Sequence, residues 1–150
     1  MNKKYSQKTK SALDLWVKLA RAFSVFNKKT SEQVKSFGLT YPQFAALECV
    51  GHLGPMTIGE LSKKMLVSGG NMTVVIDNLE REGLLERIRD NTDRRVVLIQ
   101  LTKKGRTRFN RIFPQHAGYI VDLASVLTRD EQTELSRLLK KLGLALAVER

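Results

Sequence analysis

The chain has 150 residues, 42% of them hydrophobic and 27% charged, enough to bury a core without covalent staples. Its net charge of +11 points to a polyanionic partner, since each phosphate that a cation neutralises releases condensed counterions. A lone cysteine, Cys49, excludes an intramolecular disulfide and a cysteine-based metal site, and no run of about 18 apolar residues offers a membrane span.

Residues 1–8 are polar and are expected to fray. From 9 to 29, Leu13, Trp16, Val17, Ala20, Phe23, Val25 and Phe26 recur near helical spacing and predict a long first helix. A short helical turn is expected over 30–38, closing at Gly38. Thr40-Tyr41-Pro42-Gln43 reads as a helix start: Thr40 caps the orphan amides, Gln43 holds the reciprocal position, and proline is tolerated in a first turn. That helix carries Phe44, Ala45, Leu47, Cys49 and Val50, and residues 51–55 are expected to end it. Thr57-Ile58-Gly59-Glu60 is a second capping box, opening a short helix with Ile58, Leu61 and Met65 inward.

Ser68 is the natural cap of the next helix. Its Met72, Val75, Ile76 and Leu79 follow i, i+3, i+4, i+7, and Gly83 supplies a left-handed stop. Residues 84–89 and 96–101 are apolar and β-branched enough for strands, joined by the charged turn 90–95. Thr102 caps a further helix with Phe109, Ile112, Phe113, Ile120, Leu123 and Leu127 on one side, and Pro114 is expected to kink it. Thr128-Arg129-Asp130-Glu131 is a third capping box. It starts a last helix whose seam is Leu135, Leu138, Leu139, Leu142 and Leu146.

With its apolar stripe inward, the helix after Ser68 presents Gly70, Asn71, Thr73, Val74, Asp77, Asn78 and Arg81 on its other side. Asn71 suits the N6 and N7 edge of adenine, and a threonine methyl or Val74 suits the thymine methyl. Gly69 and Gly70 each cost about 0.8–1 kcal/mol relative to Ala in a helix interior, but less in a first turn, where bare amides let a phosphate approach. Asp77 is expected to pair with Arg81, which confines base reading to the front turns. Arg87, Arg89, Arg94 and Arg95 cluster around the hairpin, and arginine suits phosphate forks and narrow minor grooves. Asp93 among them is expected to hold one arginine in a fixed direction. An amphipathic helix or a charged turn alone is ordinary; their succession is the specific signal.

Residues 61–105 resemble the winged helix-turn-helix of the MarR family of bacterial transcription regulators. Asp93-Arg94-Arg95-Val96-Val97-Leu98-Ile99-Gln100-Leu101-Thr102 fits that family's Asp-x-Arg-x5-Leu-Thr signature. Ser68-Gly69-Gly70-Asn71-Met72-Thr73, Ile76-Asp77 with Leu79-Glu80, and Glu82-Gly83-Leu84 resemble its recognition-helix pattern. Position 74 departs from it, with Val where many members carry Arg. The resemblance implies a mainly α fold with a small β-hairpin wing, a winged helix-turn-helix dimerised through its N- and C-terminal helices. On that reading residues 1–150 form one domain, with 40–105 as the DNA-binding region and 9–38 and 106–150 as dimerisation helices. It further implies a homodimer on pseudo-palindromic duplex DNA, acting as a repressor and released by a small aromatic or anionic ligand.

The charge distribution agrees with two kinds of partner. Residues 1–60 carry +5 and residues 61–111 carry +6, whereas residues 112–150 are neutral and leucine-rich. The expected DNA contacts are Ser68, Gly70, Asn71, Thr73, Val74, Asn78 and Arg81 on the helix, with Arg89, Asp93, Arg94 and Arg95 on the wing. Trp16, Tyr41 and His52 are candidates to line an effector pocket, with His116 beside them. Cys49 reads as a packed, inert thiol; peroxide sensors of the resembled family carry their reactive cysteine at the start of the first helix, where this chain has none. No paired catalytic carboxylates, Ser/His/Asp set or phosphate-cradling glycine loop is present, so neither enzyme activity, cofactor nor metal is expected. The basic N-terminus is not followed by an apolar run, so no signal peptide is read and a cytoplasmic location is expected. The alternative is a non-specific architectural nucleic-acid binder, although aromatic residues do not interleave with the basic ones as single-strand stacking requires.

Overall fold

In the computed structural model, which describes residues 5–65 and 69–147, the first helix runs on past the expected break: α1 spans Gln7–Ser36. No separate turn forms at 30–36, because Thr30 satisfies its hydroxyl within the helix, donating to the carbonyls of Phe26 (3.1 Å) and Asn27 (3.0 Å). Val34, one turn on, is fully buried and gives the extension a packing reason. Ser6 caps the start by accepting from the Thr9 amide, so helical order begins before the end of the expected fray. Gly38, at φ 75, closes the helix where expected.

α2 (Tyr41–Leu53) opens on the Thr40–Gln43 box with both reciprocal bonds made. It ends at Gly54, at φ 85, and not across the whole glycine-containing stretch. Gly51 lies inside the helix, where an added Cβ would come 2.8 Å from the Phe109 ring. It permits close packing instead of terminating the helix. α3 (Ile58–Met65) opens on the Thr57–Glu60 box, whose bonds hold the Glu60 carboxyl below its ordinary pKa. Leu61 is fully buried, and Ile58 and Met65 pack at the core's edge. α4 (Gly69–Arg81) buries Met72, Ile76 and Leu79 completely, with Val75 packed against them, and Gly83 turns the chain at φ 72. Ser68 lies outside the described residues.

β1 (Leu85–Arg89) and β2 (Val97–Leu101) pair antiparallel, with Leu85 opposite Leu101 and Arg87 opposite Ile99. Met56 adds a rung by exchanging backbone hydrogen bonds with Ile99 at 3.1 and 2.7 Å. The segment before α3 is thereby tied to the wing. α5 (Lys103–Ala124) starts at Thr102, which accepts from the Gly105 amide and donates to the Gly83 carbonyl at 2.6 Å. Gly105 is required here, since a Cβ would stand 1.9 Å from the Leu84 carbonyl oxygen. Pro114 lies inside this helix, and Leu127 falls beyond its end.

The chain divides into two units after His116. The first holds the core, built from Val34, Phe44, Leu47, Leu61, Met72, Ile76, Leu79, Leu84, Leu85 and Ile99. The second holds the end of α5 and α6 (Arg129–Ala147), started by a complete Thr128–Glu131 capping box. α6 buries no residue, and its leucines at 135, 138, 139, 142 and 146 are between 36% and 62% exposed. Among the described residues no helix is long and apolar enough to cross a membrane.

Candidate nucleic-acid interface

Because Met72, Ile76 and Leu79 are drawn inward, α4 turns Gly70, Asn71, Thr73, Val74, Asp77 and Arg81 to solvent and leaves Asn78 half-buried. Val74 is 60% exposed, so its methyl groups face outward on the same side as Asn71 and Thr73. A Cβ on Gly70 would meet nothing within 4 Å, so its bareness is not imposed by packing. The front of the helix is therefore small, polar and open.

The rear of the same face differs from the expected pairing. Asp77 does not pair with Arg81; it accepts from Arg87 of β1 at 2.6 Å. Glu80 also bonds the Arg87 guanidinium, while Arg81 donates to Asn78 at 3.2 Å. Arg87 wins because its strand position delivers the fork between both carboxylates, a geometry a helical i+4 neighbour does not match. The bond to Asp77 is the main reason the guanidinium pKa is raised further. Arg87 is thus a strut between wing and helix, and not an exposed phosphate ligand as its place in the cluster suggested. A sequence signal existed: strand alternation puts Arg87 on the face of buried Leu85, where a cation requires partners.

At the wing tip, Asp93 takes two bonds from one arginine, Nε of Arg95 at 3.1 Å and Nη2 at 3.0 Å. It also accepts from the Arg95 amide, and these bonds hold its carboxyl below the ordinary range. The Arg95 side chain remains 91% exposed, so its direction is fixed while its outer edge stays open. Arg89 reaches the Arg94 carbonyl at 3.4 Å and braces the turn from below. The Asp90 carboxylate closes the other side by accepting from the Thr92 amide and hydroxyl. Arg94 is exposed at the tip. The hairpin therefore presents two arginines on a stiffened turn.

Of the effector candidates, Tyr41 and His52 come together and Trp16 does not join them. The first two line a cavity of about 520 Å³ between α2 and α3, with Glu48, Cys49, Lys64 and Met65. Trp16 is 66% exposed on α1 and is not among the lining residues. His52 stands edge-on to Phe109 and Phe113, so one of the cavity's walls rests on α5. His116 is buried elsewhere in the first unit, against Phe44 and Gln33. Burial pushes the Cys49 thiol up, and its sulfur lies 3.9 Å from that of Met56. A protonated thiol in that setting is a poor nucleophile. Among the described residues no cluster of His, Cys, Asp and Glu could hold a metal ion.

Comparison with known proteins supplies the context for this geometry. The MarR family profile matches residues 39–97. The HTH-type transcriptional regulator MhqR of Bacillus subtilis is 37% identical over 136 residues, spanning 91% of this chain and 94% of the relative. A MepR-like protein solved with pseudoligands is 40% identical with a TM-score of 0.62, over 85% of this chain and 92% of that one. NadR, solved with 4-hydroxyphenylacetate, shares the fold at 19% identity, with a TM-score of 0.74 over 95% and 96% of the two chains.

Proposed function

The chain belongs to the MarR family of winged helix-turn-helix, DNA-binding transcription regulators, and from that premise we propose that it acts as a homodimeric repressor on a pseudo-palindromic duplex. The observation that carries this reading is the pairing of an open polar helix front with an arginine-tipped wing, braced by Arg87. Asn71, Thr73 and Val74 then read base edges in a major groove, with Gly70 and Asn78 beside the backbone and Arg81 behind them. Arg94 and Arg95 grip the flanking backbone or minor groove, aimed by Asp93 and braced by Arg89. The role is binding and not turnover.

Two apolar faces support the dimer. α1 buries only Thr30 and Val34 and exposes Trp16 and Phe23, and α6 exposes its leucine seam. Faces of this extent on a monomer mark interaction sites. For the effector, the cavity between α2 and α3 offers Lys64 to an anion and Tyr41 and His52 to an aromatic ring. A ligand there acts on α3, the helix next to the reading helix. The 4-hydroxyphenylacetate bound by NadR, which shares the fold, is a ligand of that class. Trp16 is assigned to the exposed face of α1.

The test is a salt titration of binding to a selected duplex and to a random one. Arg95→Ala is expected to weaken both alike and to lower the salt slope by about 1. Asn71→Ala is expected to leave the slope unchanged and to erode discrimination by about 1–3 kcal/mol. Equal loss of specificity in the two variants contradicts this division of roles. Repeating the titration with 4-hydroxyphenylacetate reads release directly.

A further inference from the structure

Behind the reading head, Lys103, Lys104, Thr107, Arg108 and Arg111 line one surface groove of about 650 Å³ on the first half of α5. Spacings of three and four residues put them on a single face of the helix, where like charges repel. The first turn of α5 carries no acidic residue, so the helix dipole adds to that repulsion. Elsewhere in the reading region Arg87 is paired with Asp77 and Glu80, and Arg95 with Asp93. In the groove, Lys103 and Arg111 make no side-chain hydrogen bond or ion pair among the described residues.

The other two cations are held in place by main chain. Lys104 donates to the Glu82 carbonyl at 2.7 Å, and Arg108 donates to the Phe37 carbonyl at 2.6 Å. The Glu82 carboxylate, 3.6 Å from Arg108, touches the edge of the arrangement but does not line the groove. The Nε of Arg108 is buried and has no acceptor among the described residues. The result is a row of four cations in which Arg108 has a carboxylate partner and, among the described residues, Lys103, Lys104 and Arg111 have none.

We propose that this groove binds a small multivalent phosphate of the di- or triphosphate class. Its volume falls in the range of small-molecule sites, roughly 300–1,000 Å³. Guanidinium forks and ammonium donors are the groups that recognise phosphate, and a single carboxylate would leave most of these cations unmatched. Operator DNA does not occupy it: α4 is 13 residues long, so its rear end by Glu82 stands about 20 Å from its front. A major groove about 8.5 Å deep receives only the front turns. That exclusion rests on the docking proposed above; the anion site itself does not. A phosphate bound here draws Lys104 and Arg108 away from the C-terminal ends of α4 and α1, which gives the site a route to the reading head.

The test is calorimetric titration of the full chain with inorganic tripolyphosphate in phosphate-free buffer. The Lys103→Ala/Arg111→Ala double variant spares the fold, since neither side chain makes a bond among the described residues. Wild type is expected to bind saturably, one anion per chain, and the double variant about tenfold or more weaker. An Arg94→Ala/Arg95→Ala wing variant is expected to bind as wild type does. No saturable binding, undiminished binding by the α5 variant, or loss in the wing variant overturns the proposal. A long random-sequence duplex separates the sources of phosphate: the α5 variant is expected to bind it as tightly as wild type. A loss there makes the ligand a DNA backbone phosphate and overturns the small-anion assignment. Tripolyphosphate binding in a chain that binds no duplex leaves this site standing and removes the DNA reading.

Discussion

His116 shows how one residue's neighbours decide its chemistry. Gln33 donates through Nε2 to the Gln115 carbonyl, which leaves its Oε1 to accept from His116 Nδ1–H at 2.8 Å. The ring also packs 4.5 Å from Phe44, and burial pushes the imidazole pKa below 6.5 while Glu48 pulls it the other way. The unfolded chain therefore takes up this proton at a higher pH than the folded one. Its contribution to stability is present above the unfolded value of 6.5 and is lost as pH falls through the lower folded value. Urea midpoints measured from about pH 7.5 to 5 are expected to decline below about 6.5 in wild type, and the decline is expected to vanish in His116→Gln. Persistence of that decline in the variant assigns it to another group. Glu60, Asp93 and Glu134 have lowered values and act in a more acidic window, below 4.5.

Between elements, the contact that matters most joins α4 to the wing through Arg87. Arg87→Met leaves Asp77 and Glu80 unpaired on the reading helix and frees the hairpin from it. Stability is expected to fall by about 1 kcal/mol, a figure held down by solvent screening of partly exposed partners. Affinity for selected and random duplex is expected to fall with the salt slope unchanged, because Arg87 contacts carboxylates and not phosphate. A slope lowered by about 1, as for Arg95→Ala, shows Arg87 to be a phosphate ligand after all. The three capping boxes were legible in the sequence because each closes within three residues. The apolar stripe of α4 was equally legible, since its period is local. The Arg87–Asp77 bond joins residues ten apart in sequence, and the Met56–Ile99 rung joins residues farther apart still; strand alternation shows that Arg87 needs partners, but no local pattern names them. The expected break near residue 30 failed for a related reason, since the buried position that continues α1 is Val34 and its partners lie in other elements. Trp16 is aromatic like Tyr41 and His52 but is not among the residues that line their cavity, and residue type does not fix neighbours.

At the scale of the whole molecule, the charge excess and the leucine seam of α6 lie in different parts of the chain. The first 111 residues carry the entire excess of +11, and the leucine seam of α6 lies in the neutral remainder. Leu138→Gln combined with Leu142→Gln is expected to convert a dimer to a monomer in sedimentation equilibrium, with circular dichroism reporting whether helix is retained. A folded dimer after both changes places the seam elsewhere. Loss of dimer is expected to cost duplex affinity steeply, since two linked heads act at a raised effective concentration.

The separation within α4 has a consequence for how such a protein diverges. Met72, Ile76 and Leu79 serve the core, and Asp77 and Glu80 serve the strut to the wing. Gly70 and Val74 serve neither: one faces open space and the other is mostly exposed. Substitution there changes what the helix touches while the scaffold's stability stays nearly constant. On the proposed docking, Val74 is a base-reading position that is also free to drift, so a duplicated copy can acquire a new operator by single steps without passing through an unfolded intermediate sequence.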